Sequence, residues 1–309
     1  MLEYGRWRWF PILKAVIPAA GMGTRLLPAT KSQPKEMLPI VDKPSIQYVV
    51  DEAVDSGVDD ILIITGRGKH TLEDHFDRSV ELETFLEAKC ETEMIATLRR
   101  IADGADVHYI RQKQAKGLGH AVGCARRHVG DQSFAVMLGD DIFVSEPPAL
   151  AQMIALFNEK PGIIIAVQEV PPEQVPLYGI VSGHYESDHL FRVDDLVEKP
   201  TVADAPSNLA IVGRYILPPE IFVAIEETEP DKRGEIQLTD AIRKLGGSVP
   251  IYGYRFIGKR YDIGGRLSYL TTNIELAMER PDLRPQLIDF LKRLLAEQEE
   301  LSSESLAGS

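Results

Sequence analysis

Five short apolar runs divide the first 170 residues of this chain: Ile12–Ala20 (interrupted by Lys14), Ile61–Ile64, Val107–Ile110, Phe134–Leu138 and Ile163–Val167. Runs this short, bounded by turn residues and charges, read as strands, with Ile12–Ala20 and Ile61–Ile64 as buried ones. The segments between them read as helices. Ile46, Val49, Val50 and Ala53 fall at helical spacing after Pro44, and residues 71–102 carry periodic apolar positions suited to one or two surface helices. Gly119–Val129 and Ala149–Phe157 are further helices, the first turning Ala121, Val122, Ala125 and Val129 inward. A strand–helix alternation of this kind predicts a Rossmann-like, mostly parallel mixed sheet flanked by helices.

The rhythm changes after Pro171. Short strands are expected at Gly179–Val181, Leu190–Val197, Ala210–Ile216 and Ile251–Phe256, with a helix near Gln237–Leu245. Helices at Leu267–Met278 and Pro285–Gln298 close the chain, ahead of a tail, Ser302–Ser309, expected to be frayed. Leu287, Leu291, Leu294 and Leu295 share one face of the last helix, which suits docking on its own domain or a subunit contact. The organisation expected is an N-terminal extension (1–11), one domain (12–280) and a C-terminal helix and tail (281–309). Within the domain, a strand–helix half spans about 12–170 and a β-rich half about 171–265.

Charge narrows the function. Lys and Arg number 34 against 47 Asp and Glu, a net −13. Such a chain is unsuited to non-specific nucleic-acid binding, which depends on neutralising many phosphates. No apolar run nears the roughly 20 residues of a membrane span. Met1–Phe10 holds Trp7 and Trp9 but no uninterrupted apolar stretch of a secretory signal. Two distant cysteines, Cys90 and Cys124, exclude a disulfide framework and a cysteine zinc site. A cytoplasmic location is expected.

Against that acidity, residues 14–43 hold Lys14, Arg25, Lys31, Lys35 and Lys43 but only Glu36 and Asp42. The first apolar run feeds Ala20-Gly21-Met22-Gly23-Thr24-Arg25, where two glycines let backbone N–H groups approach a phosphate. The spacing is not that of a Walker P-loop. Nor is it a complete dinucleotide fingerprint, since Leu26 stands where the third glycine belongs, which argues against a nicotinamide-dependent oxidoreductase. Asp140-Asp141 closes an apolar strand, the end of an open α/β sheet where ligands bind. A carboxylate there suits Mg²⁺, which takes one or two carboxylates together with substrate phosphates.

The string from Gly21 to Pro44, including Pro34-Lys35-Glu36-Met37-Leu38-Pro39, resembles the opening of the sugar-phosphate nucleotidyltransferases. It is similar in particular to the bacterial UTP–glucose-1-phosphate uridylyltransferases, and the resemblance runs from about Leu13 to about Met278. Later strings agree in order: Gln112 with Ala115–Ala121, Asp140-Asp141, Tyr178–Val181, Glu198-Lys199-Pro200, Ser207–Tyr215, Gly234–Ala241 and Tyr261–Gly264. The resemblance implies transfer of a uridylyl group from UTP to α-D-glucose 1-phosphate, giving UDP-glucose and pyrophosphate. It implies catalytic roles for Arg25, Lys35 and Lys199, and nucleotide contacts from Ala20, Gly21, Gly23, Thr24, Glu36, Gln112 and Gly117. Sugar contacts fall to Asp141, Gly179, Glu198 and Val212, and Mg²⁺ to Asp140 and Asp262. His120 is open between a phosphate contact and a structural role, and Gly234–Ala241 is read as helix capping and packing. A homodimer or homotetramer is implied. The rivals are a dTTP-dependent thymidylyltransferase, one methyl away in substrate, and a non-catalytic nucleotide-sugar sensor. Retention of both carboxylates and all three basic positions argues against the sensor.

Overall fold

The computed structural model describes the backbone of residues 2–4, 7–9 and 11–307, and side chains within 11–299. Nine strands of these residues form one mixed sheet. In chain order they are β1 (Lys14–Pro18), β2 (Asp60–Thr65), β3 (Asp106–Arg111), β4 (Phe134–Met137) and β5 (Ile163–Glu169). The later strands are β6 (Gly179–Tyr185), β7 (Leu190–Glu198), β8 (Leu209–Leu217) and β9 (Ile251–Tyr254). They lie in the order β5-β9-β7-β6-β8-β4-β1-β2-β3, with β5 also pairing β8.

The run β4-β1-β2-β3 is parallel throughout. Ala15 to Ile17, Ile61 to Ile64 and all of β4 are fully buried. Helices cover both faces, and this is why these strands read as unbroken apolar runs. β3 is the edge, and its side chains alternate between half-buried and exposed over much of its length. From β8 onward the pairing is antiparallel, except where β5 meets β9. β5 therefore pairs only with strands of the later half of the chain.

Several elements differ from the sequence reading. Residues 71–102 hold three helices, His70–Phe76, Val80–Ala88 and Thr92–Asp103. Extended backbone at Asp77 and a left-handed Cys90 (φ 60°) separate them. The segment expected as a single helix over Gly119–Val129 divides into Gly117–Gly123 and Arg126–Val129. Its bonds tighten there to Ala125 N–H on Val122 and His128 N–H on Ala125, too tight for an α-helix to continue. The helix Ile221–Glu226 has no counterpart in the sequence reading; its Phe222 stacks on Phe134 at 5.2 Å. The last helix runs Arg284–Ala307, through much of the expected tail, and Gly308 and Ser309 lie outside the described residues. In the N-terminal extension, 2–4 pair antiparallel with 7–9, while the side chains of Trp7 and Trp9 lie outside the described residues.

Two short strands matter most for the site. Asp141–Val144 pairs antiparallel with Lys259–Asp262, setting Asp141 directly opposite Asp262. Beneath this pair lies Arg214 of β8, fully buried. Its Nη2 meets Glu52 Oε2 at 2.6 Å, from the helix Ser45–Asp55, and its Nε donates to the same carboxylate at 3.2 Å. Nη1 donates to the carbonyls of Leu138 and Gly213, and Nη2 to that of Asp141. Every guanidinium N–H thus has an acceptor, as a buried charge requires. Glu52 also accepts from the N–H of Leu150, at the start of the helix Ala149–Glu159.

Breaking a buried pair strands a charge, at a cost of about 3–5 kcal/mol. Arg214→Met or Glu52→Leu alone is expected to lower unfolding stability by about that amount in urea titration. The double variant should recover much of the loss. Single variants within about 1 kcal/mol of the parent would show the pair to be dispensable.

Candidate active site

A cleft of about 750 Å³ opens at the carboxyl ends of β1, β2 and β3. Its floor is the loop after β1, including Ala20, Gly21 and Thr24, and its walls follow β2 (Gly66–Lys69) and β3 (Arg111–Lys113). Among the described residues, Lys31, Lys35, Arg67, Lys69, Arg111 and Lys113 line it, and no carboxylate does. In a chain of net charge −13, such a concentration of cations marks a polyanion site.

Local geometry explains the loop. Gly23 has φ 63°, a left-handed conformation that glycine adopts freely. A Cβ there would press on Thr30 at 3.2 Å and Lys35 at 3.3 Å. Thr30 Oγ1 donates to the Gly23 carbonyl at 2.7 Å, and the turn is closed.

Lys35 faces two cavities at once. It lines the large cleft and also a smaller one of about 160 Å³ shared with Gly23, Arg25, Asp140 and Gly264. Its Nζ lies 2.5 Å from Asp140 Oδ2. Burial alone would lower the Lys35 pKa, but Asp140 and Glu36 outweigh it and raise it above the usual value. Burial would likewise raise Asp140, yet Lys35 and Arg25 hold its carboxyl below the ordinary range. Both groups are therefore charged at neutral pH.

Asp140 and Asp262 converge on Gly264. A Cβ on Gly264 would lie 3.0 Å from Asp262 Oδ1, 3.5 Å from Asp140 Oδ2 and 3.5 Å from Arg25 Nη1. The Ile263 N–H donates to the Asp140 carbonyl at 3.1 Å, and the Gly264 N–H to Asp262 Oδ1 at 2.8 Å. Two carboxylates and an open cavity make a hard-oxygen donor set of the kind Mg²⁺ takes. In the structure the cation on Asp140 is the Lys35 ammonium.

Asp141 is held differently. Its Oδ2 accepts from the Gly213 N–H and its Oδ1 from Arg260 Nη2 at 2.6 Å. The carboxylate packs so closely on Gly213 that no Cβ fits there. Burial pushes the Asp141 carboxyl up to about 6 against the pull of Arg260, with Asp262 and Asp140 adding to the rise. Arg260 also reaches Asp262 Oδ2 and the Tyr178 hydroxyl, each at 3.5 Å. The Tyr178 hydroxyl donates to Asp262 Oδ2 at 3.0 Å.

Through Tyr178 the Asp262 side meets a second cluster. Thr239 Oγ1 donates to Glu198 Oε2 at 2.6 Å, and Lys199 Nζ to Glu198 Oε1 at 2.6 Å. Gly179 lies against both, 3.0 Å from Thr239 Oγ1 and 3.1 Å from Glu198 Oε2 at its Cβ position. Lys199 is a non-glycine residue at φ 45°, fixed by its N–H on the Tyr178 carbonyl. Strain of this kind persists where the surroundings impose it, typically at ligand sites.

Other expected site residues are engaged with the protein itself. The Glu36 side chain is 1% exposed and reaches Lys69 Nζ at 2.8 Å, so it supports a cleft lysine from below. Gln112 lines the cleft, but its amide nitrogen is engaged with His120 Nδ1 at 2.8 Å and the Gly117 carbonyl at 3.3 Å. Gly117 (φ 88°) and Gly119 press on the backbone of Ile236, where a Cβ on either would come to 2.8 Å. This contact is the packing read for Gly234–Ala241, although the helix Leu238–Leu245 has no side-chain cap. The Val212 side chain belongs to the main core and is not free for a sugar contact.

Sequence reasoning missed Arg67, Lys69, Arg111, Lys113, Thr239 and Arg260. The first four had a signal, since each stands at or just past the carboxyl end of a parallel strand. Arg260 had one too: it sits two residues before Asp262 on a strand, hence on the same face. Thr239 had none.

Comparison with known proteins agrees with this architecture. A family model described as nucleotidyl transferase matches residues 14–279, and the chain belongs to that family. A UTP–glucose-1-phosphate uridylyltransferase of Bacillus subtilis (strain 168) is 52% identical over 288 residues, 93% of this chain and 99% of that protein. Among solved structures, a UDP-glucose pyrophosphorylase complexed with UDP-glucose superposes with a TM-score of 0.81 at 44% identity. It covers 87% of this chain and 100% of that one. A UTP-bound enzyme of the same kind from Acinetobacter baumannii gives 0.83 at 41%, covering 92% and 99%.

Gly264→Ala should place a methyl between the two carboxylates and Arg25 without straining the fold. A shift of about 1 Å in reacting groups costs roughly 10²-fold in rate, and a fall in nucleotidyl transfer of that order is expected at unchanged Tm. Parental activity would mean that the convergence on Gly264 is irrelevant to transfer.

Proposed function

We propose that this chain transfers a uridylyl group from UTP to α-D-glucose 1-phosphate, releasing pyrophosphate and forming UDP-glucose. The observation that carries the reading is Lys35. It joins a cleft whose charged lining is all basic, suited to a nucleoside triphosphate, to a small cavity lined by Asp140 and by Gly264, on which Asp262 also converges, suited to a divalent cation. The similarity to named uridylyltransferases supports UTP over dTTP.

The sugar phosphate attacks the α-phosphorus in line. Its oxygen is already anionic near neutral pH, so no general base is required. Catalysis then consists of positioning and charge neutralisation. The loop Ala20–Thr24 cradles the triphosphate and Gln112 turns its amide to the base. Arg25 holds the departing pyrophosphate with its fork of donors. Lys35 moves from Asp140 to the α-phosphate, and Lys199 orients the attacking phosphate. Glu198, steadied by Thr239, accepts from sugar hydroxyls with Gly179 and the backbone of Val212 beside it. Asp141 and Arg260 brace the sugar side. Asp140 and Asp262 would hold Mg²⁺, whose chemistry when bound is neutralisation of the phosphate oxygens.

In this reading the nucleotide half of the domain ends near residue 170 and the sugar-phosphate half follows. The reading also includes a homodimer or homotetramer. Leu267, Leu270 and Ile274, exposed on one closing helix, and Phe290, Leu294 and Leu295, exposed on the other, are surface for such contacts. A cytoplasmic location is part of the proposal, supported by two free cysteines. Among the described residues no helix is long and apolar enough to cross a membrane.

Pyrophosphate release with glucose 1-phosphate, Mg²⁺ and each of UTP, dTTP, CTP, ATP and GTP tests the assignment. UTP should be preferred and EDTA should abolish release; a dTTP preference would move it to the thymidylyl activity, and folded but inactive protein to a sensor. Lys35→Ala should lower turnover by about 10²–10³-fold, and Asp140→Asn should weaken the Mg²⁺ response at unchanged Tm. Wild-type turnover or metal titration in these variants would remove the residue from its role.

The pH dependence of turnover falls on Asp141. Lys35 is raised and Asp140 lowered, so neither changes charge across neutrality. Asp141, raised to about 6, gains a proton as pH falls through that value and leaves Arg260 with only its longer contact to Asp262 at 3.5 Å. Turnover should be level from about pH 7 to 9 and fall below about 6. A profile level down to about pH 5 would separate the Asp141–Arg260 pair from catalysis.

A further inference from the structure

At the opposite end of the parallel strands, Asp60, His108 and His128 meet. Asp60 begins β2, His108 lies on the edge strand β3, and His128 comes from the short helix Arg126–Val129. The register sets Asp60 opposite Asp106 and Leu62 opposite His108. Asp60 and His108 are therefore diagonal neighbours on one face. His128 Nε2 lies 2.7 Å from Asp60 Oδ1, and His108 Nε2 lies 3.9 Å from the same oxygen. The three ligand atoms all fall within 4.8 Å of one another, and the two imidazoles are tilted at 4.8 Å between centroids.

We propose that these three side chains bind one transition-metal ion of the zinc class. A separation of 3.9 Å is too long for a hydrogen bond. Ligand atoms about 2.0 Å from a shared tetrahedral ion stand roughly 3.3 Å apart, between the two observed distances. Two imidazoles and one carboxylate suit Zn²⁺ and leave a fourth position for water. Mg²⁺ prefers oxygen ligands and takes such a set poorly.

The supports of the site are also present. Lys14 Nζ lies 3.3 Å from Asp60 Oδ2 and donates to the His128 carbonyl at 2.7 Å. It fixes the carboxylate by one oxygen and leaves Oδ1 to the ion, in the way outer partners orient metal ligands. The His108 side chain is 53% exposed, so its ring can turn inward without unpacking the core. The Lys14 charge offsets that of Asp60, which suits micromolar rather than tighter affinity. The site is distinct from the catalytic cleft, which begins past Thr65, about 17 Å along β2. An ion here ties the edge strand to its neighbour and to the helix, adding stability without touching substrate.

The test is calorimetric titration of the full chain with Zn²⁺, with excess Mg²⁺ present to occupy Asp140 and Asp262. Co²⁺ serves as a spectroscopic probe of tetrahedral nitrogen–oxygen ligation. One ion per chain at micromolar Kd is expected, with a raised Tm. His108→Ala should weaken binding at least tenfold and abolish the Tm rise, with unchanged turnover in the absence of Zn²⁺. Asp140→Asn should bind Zn²⁺ as the parent does. Unaltered affinity in His108→Ala, loss of binding in Asp140→Asn, or no uptake at millimolar Zn²⁺ would overturn the proposal.

Discussion

The bidentate contact between Arg214 and Glu52 organises the functional end of this molecule. A guanidinium with no access to water must find an acceptor for each of its N–H groups. Here it takes them from a helix, from its own strand and from the turn that carries Asp140. That turn could not be held by hydrophobic packing alone, because its carbonyls point into the protein. The Phe143 ring lies 4.4 Å from the guanidinium and covers one face. Asp140 thus stands on a buried ion pair, a scaffold whose benefit lies in geometry more than in net stability.

From that base the charges alternate in sequence through the site. Arg214 supports the turn of Asp140 and Asp141, Lys35 faces Asp140, and Arg260 faces Asp141 and Asp262. Tyr178 carries the chain of contacts to the cluster of Glu198, Lys199 and Thr239. Each ion in this series is compensated before any ligand arrives. A polyanion and a divalent cation can then exchange partners with Lys35 and Asp140 without exposing an unpaired charge. Preorganisation of this type is what an electrostatically driven phosphoryl or nucleotidyl transfer requires.

The large cleft works by a different balance. Its six cations come from the loop after β1 and from the carboxyl ends of β2 and β3. Buried Glu36 beneath Lys69 offsets part of their repulsion without presenting a carboxylate to the cleft. Burial raises the Glu36 pKa and lowers that of Lys69, each against the attraction of the other. The 2.8 Å contact keeps them matched.

The sequence by itself determined the parallel half of the sheet, because strands buried on both faces must be apolar throughout and helices must carry a periodic stripe. It also marked Gly21–Thr24 as a candidate phosphate loop, because two glycines stand there among a local excess of cations. Asp140, Asp141 and Asp262 were legible as strings, and Lys199 beside Glu198 likewise. Tertiary structure alone decided which carboxylates stand together. The strands Asp141–Val144 and Lys259–Asp262 are four residues each, too short for a periodic signal, yet their pairing sets Asp141 against Asp262. It alone turned Glu36 inward to Lys69 and made Arg214 a pedestal rather than a pocket residue. Side-chain direction across distant segments depends on register and packing, and neither is written in local spacing. The same holds for Asp60, His108 and His128, which no motif connects and which only the stacking of β2, β3 and a short helix brings to one point.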